Sequence, residues 1–265
     1  MSNKKNIKTK LICIDGADNT GKSTLIKYMK KQEEFKNSNT LFLSFPTDEF
    51  RKNRDDKNIT IDSKNFEPYL KDIVDNLFVE VFKNEYDYIV CDRSYLSTFF
   101  YNYINNYKYS DSINNRIIDY GTFIIEYMYR DFIDLLYSYI EKSYGKYLNE
   151  YGNLSIIQIV LISHDVSKLR HKDESEYKAN NYYETAVDLN LQLQNRVNEN
   201  FKNYHNYFFN RRNLIKFINI FNEFTFDILN IGVFVDDMCD KYKRLSTEDI
   251  YNKIIKTHSS TMIFK

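Results

Sequence analysis

No tryptophan occurs in the 265 residues, proline occurs twice and glycine six times, so turn punctuation is scarce and each glycine carries information. Three cysteines cannot all pair, and no CxxC or Cys/His spacing joins them, which argues against a disulfide framework and against a zinc site. Cys13 and Cys91 sit inside apolar runs, and all three read as reduced structural thiols of a cytoplasmic protein. Net charge is also missing. Thirty-seven basic residues cancel thirty-seven acidic ones, which removes any global attraction to nucleic acid or to a membrane surface. Mean hydropathy is −0.57, and no apolar run approaches the roughly 18 residues of a spanning helix. The opening "MSNKKNIKTK" is polar, and no secretory signal is expected. The excess of Asn, Lys, Ile and Tyr resembles the coding bias of an AT-rich genome, cellular or viral, in which case the compartment is the host cytosol.

What remains is enough for a large core, since a chain this long buries roughly 70–75% of its unfolded surface. Five short, β-branched runs stand out: "KLICID" (10–15), "TLFLSF" (40–45), "DYIVCD" (87–92), "SIIQIVLI" (155–162) and "IGVFVD" (231–236). Each is nearly continuous rather than alternating, as expected of strands covered on both faces. Helical spacing lies between them: Leu189, Leu193, Val197 and Phe201 recur at i+4, and Ile117, Phe123, Ile124, Tyr127, Met128 and Leu135 stand among polar residues. The expectation is an α/β fold with a five-stranded parallel sheet in three layers, as one domain spanning residues 1–265. The aromatic segment of about 105–152 is too long for a structureless loop, and is expected to be a helical extension covering one face of the sheet.

The most specific motif is "GADNTGKS", which fits G-x-x-x-x-G-K-[ST] from Gly16 to Ser23, after a strand and before a helix former. Gly16 and Gly21 permit a loop whose amides, those of Asn19 and Thr20 among them, converge on phosphate oxygens, and the helix starting near Gly21 adds its dipole. Lys22 would reach the β- and γ-phosphates, Ser23 would ligate Mg²⁺, and Thr24 completes the loop. ATP and Mg²⁺ are the expected cofactors. A GTPase would need Asn-Lys-x-Asp after a later strand, and "SHDVSKLR" lacks it.

A second constellation, "YIVCDRSYLSTFFYN" (88–102), ends a strand with Asp92-Arg93. Ligands of parallel sheets bind at the carboxyl ends of the strands, so this pair shares the crevice of the phosphate loop. A carboxylate there can hold Mg²⁺ through water, and a guanidinium can grip an anionic acceptor. With Asp18 inside the loop, the combination resembles the thymidylate kinase family of nucleoside-monophosphate kinases. That family carries a carboxylate at the third position after the first glycine, and a later Asp-Arg-Tyr-x-x-Ser-x-x-Ala-Tyr-Gln segment. Asp92, Arg93, Ser97, Tyr101 and Asn102 stand at matching places, whereas Ser94, Phe100 and Asn102 replace the family's Tyr, Ala and Gln and leave the base preference open.

The resemblance implies that Arg93 grips the acceptor phosphate and that Asp18 contacts the acceptor sugar. It implies further substrate contacts from the segment holding Phe45, from Arg51 or Arg54, and from Tyr183 beside Glu184. Phe66, Tyr69 and Phe78 are candidates for stacking on the base. Chemistry asks for one more cation over the transferring group, and "SKLRHKDESEYK" (167–178), within a mobile lid of about 164–184, offers Arg170 first and Lys172 second. The expected catalytic set is therefore Lys22, Asp18, Arg93, Asp92 and Arg170, with metal ligands Ser23 and Asp92. The reaction implied is transfer of the γ-phosphate of Mg·ATP to a deoxynucleoside monophosphate, dTMP first. A deoxynucleoside kinase with Asp15 or Asp92 as base is the alternative, and a non-catalytic nucleotide-binding protein the third reading. The expected partner is a small-molecule nucleotide, with neither nucleic acid nor membrane. A homodimer is left open.

Overall fold

The computed structural model describes residues 5–45, 66–106, 133–170, 183–209, 214–219, 224–238 and 242–258. Strands β1 (Lys5–Asn6), β2 (Lys10–Gly16), β3 (Thr40–Ser44), β4 (Tyr88–Asp92), β5 (Tyr151–Ile162), β6 (Leu214–Asn219) and β7 (Phe224–Phe234) form one seven-stranded sheet. Its order is β3-β4-β2-β5-β7-β6, with β1 pairing beside β5. All of these pairings are parallel except β6 with β7. The five expected parallel strands are present, and β1 and the antiparallel β6 extend them. The continuous apolar runs have the expected cause. From Leu11 to Gly16 every residue of β2 is buried, because helices cover both faces.

The expected boundaries shift where neighbours extend a strand. Strand β5 starts at Tyr151 rather than 155, because β1 and β7 provide partners for its first residues. Strand β7 starts at Phe224 rather than 231, because β6 folds back on its first half, with Lys216 opposite Asp227. Lys216 breaks the apolar run of β6 and hides it from a hydrophobicity reading, yet a lysine is a common guard on an edge strand.

On one face pack α1 (Lys22–Met29), the short α2 (Glu33–Lys36) and α8 (Thr247–His258), through Leu25, Ile26, Met29, Phe35, Ile250 and Ile254. Ser246 caps helix α8: Asp249 N–H donates to Ser246 Oγ at 3.0 Å, and that hydroxyl donates to Asp249 Oδ2 at 2.7 Å. The other face holds α3 (Phe66–Leu77), α4 (Val79–Lys83), α5 (Tyr95–Asn106), α6 (133–150) and α7 (Tyr183–Phe209). Phe100 meets Phe201 edge-on at 4.9 Å, fixing α5 against α7.

Within the expected helical extension, 133–150 is a helix laid on the sheet's helical cover; 107–132 lies outside the described residues. Its buried stripe is Ile133, Leu136, Tyr137 and Ile140, at spacings of three and four. Leu135, one of the apolar residues at helical spacing, is 42% exposed, because the buried stripe runs through its neighbour Leu136. Tyr144 and Tyr147 each lie 5.6 Å from the Phe82 ring, and Tyr144 OH donates to Asp75 Oδ1 at 3.0 Å. These tyrosines serve packing. Cys13 and Cys91 are register partners on β2 and β4, both buried and unpaired as disulfides. Among the described residues no helix is long and apolar enough to cross a membrane. The arrangement is the three-layer α/β phosphate-loop fold that the sequence leads one to expect.

Candidate functional site

Strand β2 ends at Gly16, and the loop to α1 turns there with a φ of +150°. A Cβ at this glycine would stand 2.5 Å from the Leu161 carbonyl oxygen and 2.8 Å from Thr20 Oγ1, so no side chain fits. Asn19 and Gly21 take left-handed φ values of 63° and 96°, and Gly21 is the residue from which α1 departs. Thr20 is buried, its hydroxyl donating to Ala17 O at 2.8 Å. Lys22 folds under the loop and donates to Gly16 O at 3.0 Å and Ala17 O at 2.7 Å. Burial first, and the Arg93 charge second, bring its ammonium down to about 7. Ser23 and Thr24 are exposed on the first turn of α1.

From β4 comes Asp92, whose Oδ2 accepts the Ser23 hydroxyl at 2.5 Å. Two oxygen ligands with solvent access fit Mg²⁺, which keeps several waters and seldom sits in an all-protein cage. No cluster of three His, Cys, Asp or Glu occurs among the described residues.

Beside this pair Arg93 adopts a φ of 74°, a conformation uncommon for a residue with a side chain and concentrated at functional sites. Its N–H donates to Ile14 O at 2.9 Å, and its guanidinium pairs with Asp18 and lies 5.3 Å from the Tyr101 ring. Gln194 of α7 completes the cluster. Its Nε2 donates to Asp18 Oδ2 at 2.8 Å, and its Oε1 accepts Asp18 N–H at 2.7 Å and Tyr101 OH at 3.1 Å. Burial pushes the Asp18 carboxyl up, but the Arg93 and Lys22 charges outweigh it and hold it below the ordinary value. Sequence reasoning missed Gln194. The available signal was a helical stripe of Gln194, Val197, Asn198 and Phe201 that is buried yet half polar.

Behind the site stands Asp15, fully buried. Its carboxylate accepts Ser94 N–H at 2.9 Å, Ser97 N–H at 3.2 Å, Gln158 Nε2 at 2.6 Å, and the hydroxyls of Ser94 and Ser97. The N–H of Ser94, just before α5, and that of Ser97 in its first turn are therefore capped by a residue of β2. Ser97, expected at the substrate, faces Asp15 instead and is only 2% exposed. Phe45 is likewise wholly buried, its N–H donating to Asp92 O at 2.9 Å at the end of β3. Phe78 is core, 6.2 Å from Phe82, and presents no platform to a ligand.

Arg51, Arg54, His171 and Lys172 lie outside the described residues, as do the side chains of Arg170, Asn102, Tyr183, Glu184, Phe66 and Tyr69. The expected lid begins as a 3₁₀ turn at Val166–Arg170, tied to the sheet through Ser163. Ser163 N–H donates to Asn198 Oδ1 at 2.9 Å, and its hydroxyl to Asp236. A cation not anticipated from sequence, Arg244, reaches the loop and donates to Asn19 O at 2.9 Å.

Taken together, the carboxyl ends of β2 and β4 bring to one place a glycine-bounded loop, the Ser23–Asp92 pair and the Asp18–Arg93 pair. No protein-family model matches the chain, and no curated protein does. Among solved structures, the chain is similar to the thymidylate kinase of Ehrlichia chaffeensis, with TM-score 0.46 and 12% identity over 94% of this chain and 98% of that one.

Proposed function

We propose that the protein is a nucleotide kinase that transfers the γ-phosphate of Mg·ATP to a deoxynucleoside monophosphate, with dTMP the first candidate. The observation that carries the reading is the Arg93–Asp18–Gln194–Tyr101 cluster, set beside the loop on the flank where Ser23 meets Asp92. A carboxylate inside an anion-binding loop is electrostatically unfavourable unless something other than phosphate requires it, and a sugar hydroxyl is such a partner.

Each group then has a task. Loop amides and Lys22 hold the β- and γ-phosphates, and the Lys22 ammonium exchanges its carbonyl partners for phosphate oxygens. Ser23 and Asp92 would hold Mg²⁺, which supplies charge neutralisation on the phosphates. Arg93 binds the acceptor phosphate, and Asp18, oriented by Gln194, accepts the sugar hydroxyl. An ionised acceptor phosphate needs no strong base, so the chemistry rests on position and charge. A 5′-hydroxyl acceptor would need a carboxylate base. Among the described crevice carboxylates, Asp15 is buried under five donors, Asp18 is paired with Arg93, and Asp92 is bonded to Ser23. That distribution favours the monophosphate.

The test is incubation with Mg·ATP and a panel of nucleosides and nucleoside monophosphates. Product from dTMP or another deoxynucleoside monophosphate is expected, with turnover falling at least about 10²-fold in Lys22→Ala and Arg93→Ala. Phosphorylation of thymidine but not dTMP would establish the nucleoside kinase instead. Nucleotide binding without transfer to any acceptor would leave a non-catalytic binder.

A further inference from the structure

Arg93 carries its side chain on a backbone in the left-handed region, at a φ of 74°. A residue other than glycine leaves that region unless its surroundings over-determine it. Here β2 holds the turn at two successive points. The N–H of Arg93 donates to Ile14 O at 2.9 Å, and the N–H of the next residue, Ser94, donates to Asp15 Oδ1 at 2.9 Å. Ile14 and Asp15 are consecutive residues of β2, so one strand grips two consecutive amides of the chain leaving β4. The Ser94 hydroxyl adds a third tie. It donates to Asp15 Oδ2 and accepts Leu96 N–H at 3.1 Å, which caps the start of α5.

Two features give Asp15 more than a packing role. The first is chemistry. Its two oxygens meet five donors, from Ser94, Ser97 and Gln158, and an ionised carboxylate accepts from all of them because it brings no hydrogen of its own. The second is anchorage. Gln158 stands on β5, on the far side of β2 from β4, and its Nε2 holds Asp15 Oδ2 at 2.6 Å. Both residues are wholly buried, so neither presents surface to a ligand. A line of bonds thus runs from Gln158 through Asp15 to Ser94, and the residue beside Ser94 places its guanidinium on Asp18.

We propose that Asp15 is a positioning residue for the acceptor: through Ser94 it holds the left-handed turn that aims the Arg93 guanidinium. The proposal rests on the reading that Arg93 binds the acceptor phosphate. It is tested by a double-mutant cycle on the full-length chain, read in kcat/KM for the best deoxynucleoside monophosphate at saturating Mg·ATP. Asp15→Asn puts an amide NH₂ among the donors, and is expected to lower this value about tenfold while the KM for ATP stays within about twofold. In the Arg93→Ala background the same substitution is expected to cost less than about twofold, because the group it positions is gone. A residue that serves the fold alone would lower both backgrounds equally. Ser94→Ala removes one hydroxyl and leaves the carboxylate, and is expected to follow the same pattern with a loss of about fivefold. It carries the cycle where Asp15→Asn fails to fold. Equal losses with and without Arg93, equal rises in the KM of both substrates, or no loss at all would each overturn the positioning role. A wild-type chain that turns over no monophosphate, or an Arg93→Ala variant as active as wild type, would overturn the reading of Arg93 and the proposal with it.

Discussion

Lys22 is buried in the free protein on two carbonyls, and its burial and the Arg93 charge outweigh the Asp18, Asp92 and Asp15 carboxylates that favour its ammonium. With its value near 7 against an ordinary 10.5, the unfolded chain binds one proton more than the folded one between those limits. Stability therefore rises with pH across that window, by at most about 1.4 kcal/mol per pH unit from this group. Relative to Lys22→Met, the wild type should gain in urea denaturation between pH 7 and 9. Binding of Mg·ATP at pH 8 should be accompanied by proton uptake, read from calorimetry in buffers of different ionisation enthalpy, and Lys22→Met should reduce that uptake. Gln194 gives a second expectation. Gln194→Leu removes the donor to Asp18 and the acceptor of its N–H, so the acceptor KM should rise about tenfold while the KM for ATP stays within about twofold. The loop was legible because Gly16, Gly21, Lys22 and Ser23 stand at fixed local spacing. Gln194 and Arg244 were not, since each reaches the loop from an element far along the chain, and only the fold brings it there.

Among the elements, α5 shows how a strand can position a helix. The amides and hydroxyls of Ser94 and Ser97 at its start converge on Asp15, so removing that carboxylate leaves several buried donors without an acceptor. Asp15→Ala should cost about 3 kcal/mol in chemical denaturation, whereas Asp15→Asn, which retains one acceptor oxygen, should cost less. The cores of β2 and β4 were legible as apolar runs, whereas the bonds from Ser97 to Asp15 were not. A motif gives the residue types near a ligand but not which way the first turn of a helix faces, and here it faces β2. The stripe on α6 was misread by one residue at Leu135 for a related reason, since adjacent apolar residues leave the phase of a helix undetermined until its neighbour is known.

At the scale of the molecule, the sheet order places β4 on one side of β2 and β5 with β7 on the other. The strand composition made the parallel sheet legible, but the order of its strands follows from pairings that no local pattern encodes. That order has a kinetic consequence. On the proposed reading the two substrates approach the centre from opposite flanks, so neither obstructs the other's path and neither needs to leave before the other arrives. Initial velocities measured over a grid of both concentrations should give double-reciprocal lines that intersect. Parallel lines would mean that a phosphorylated protein intermediate carries the group between them. Either substrate should also bind alone, and a bisubstrate molecule joining two nucleosides through a polyphosphate should inhibit competitively against both.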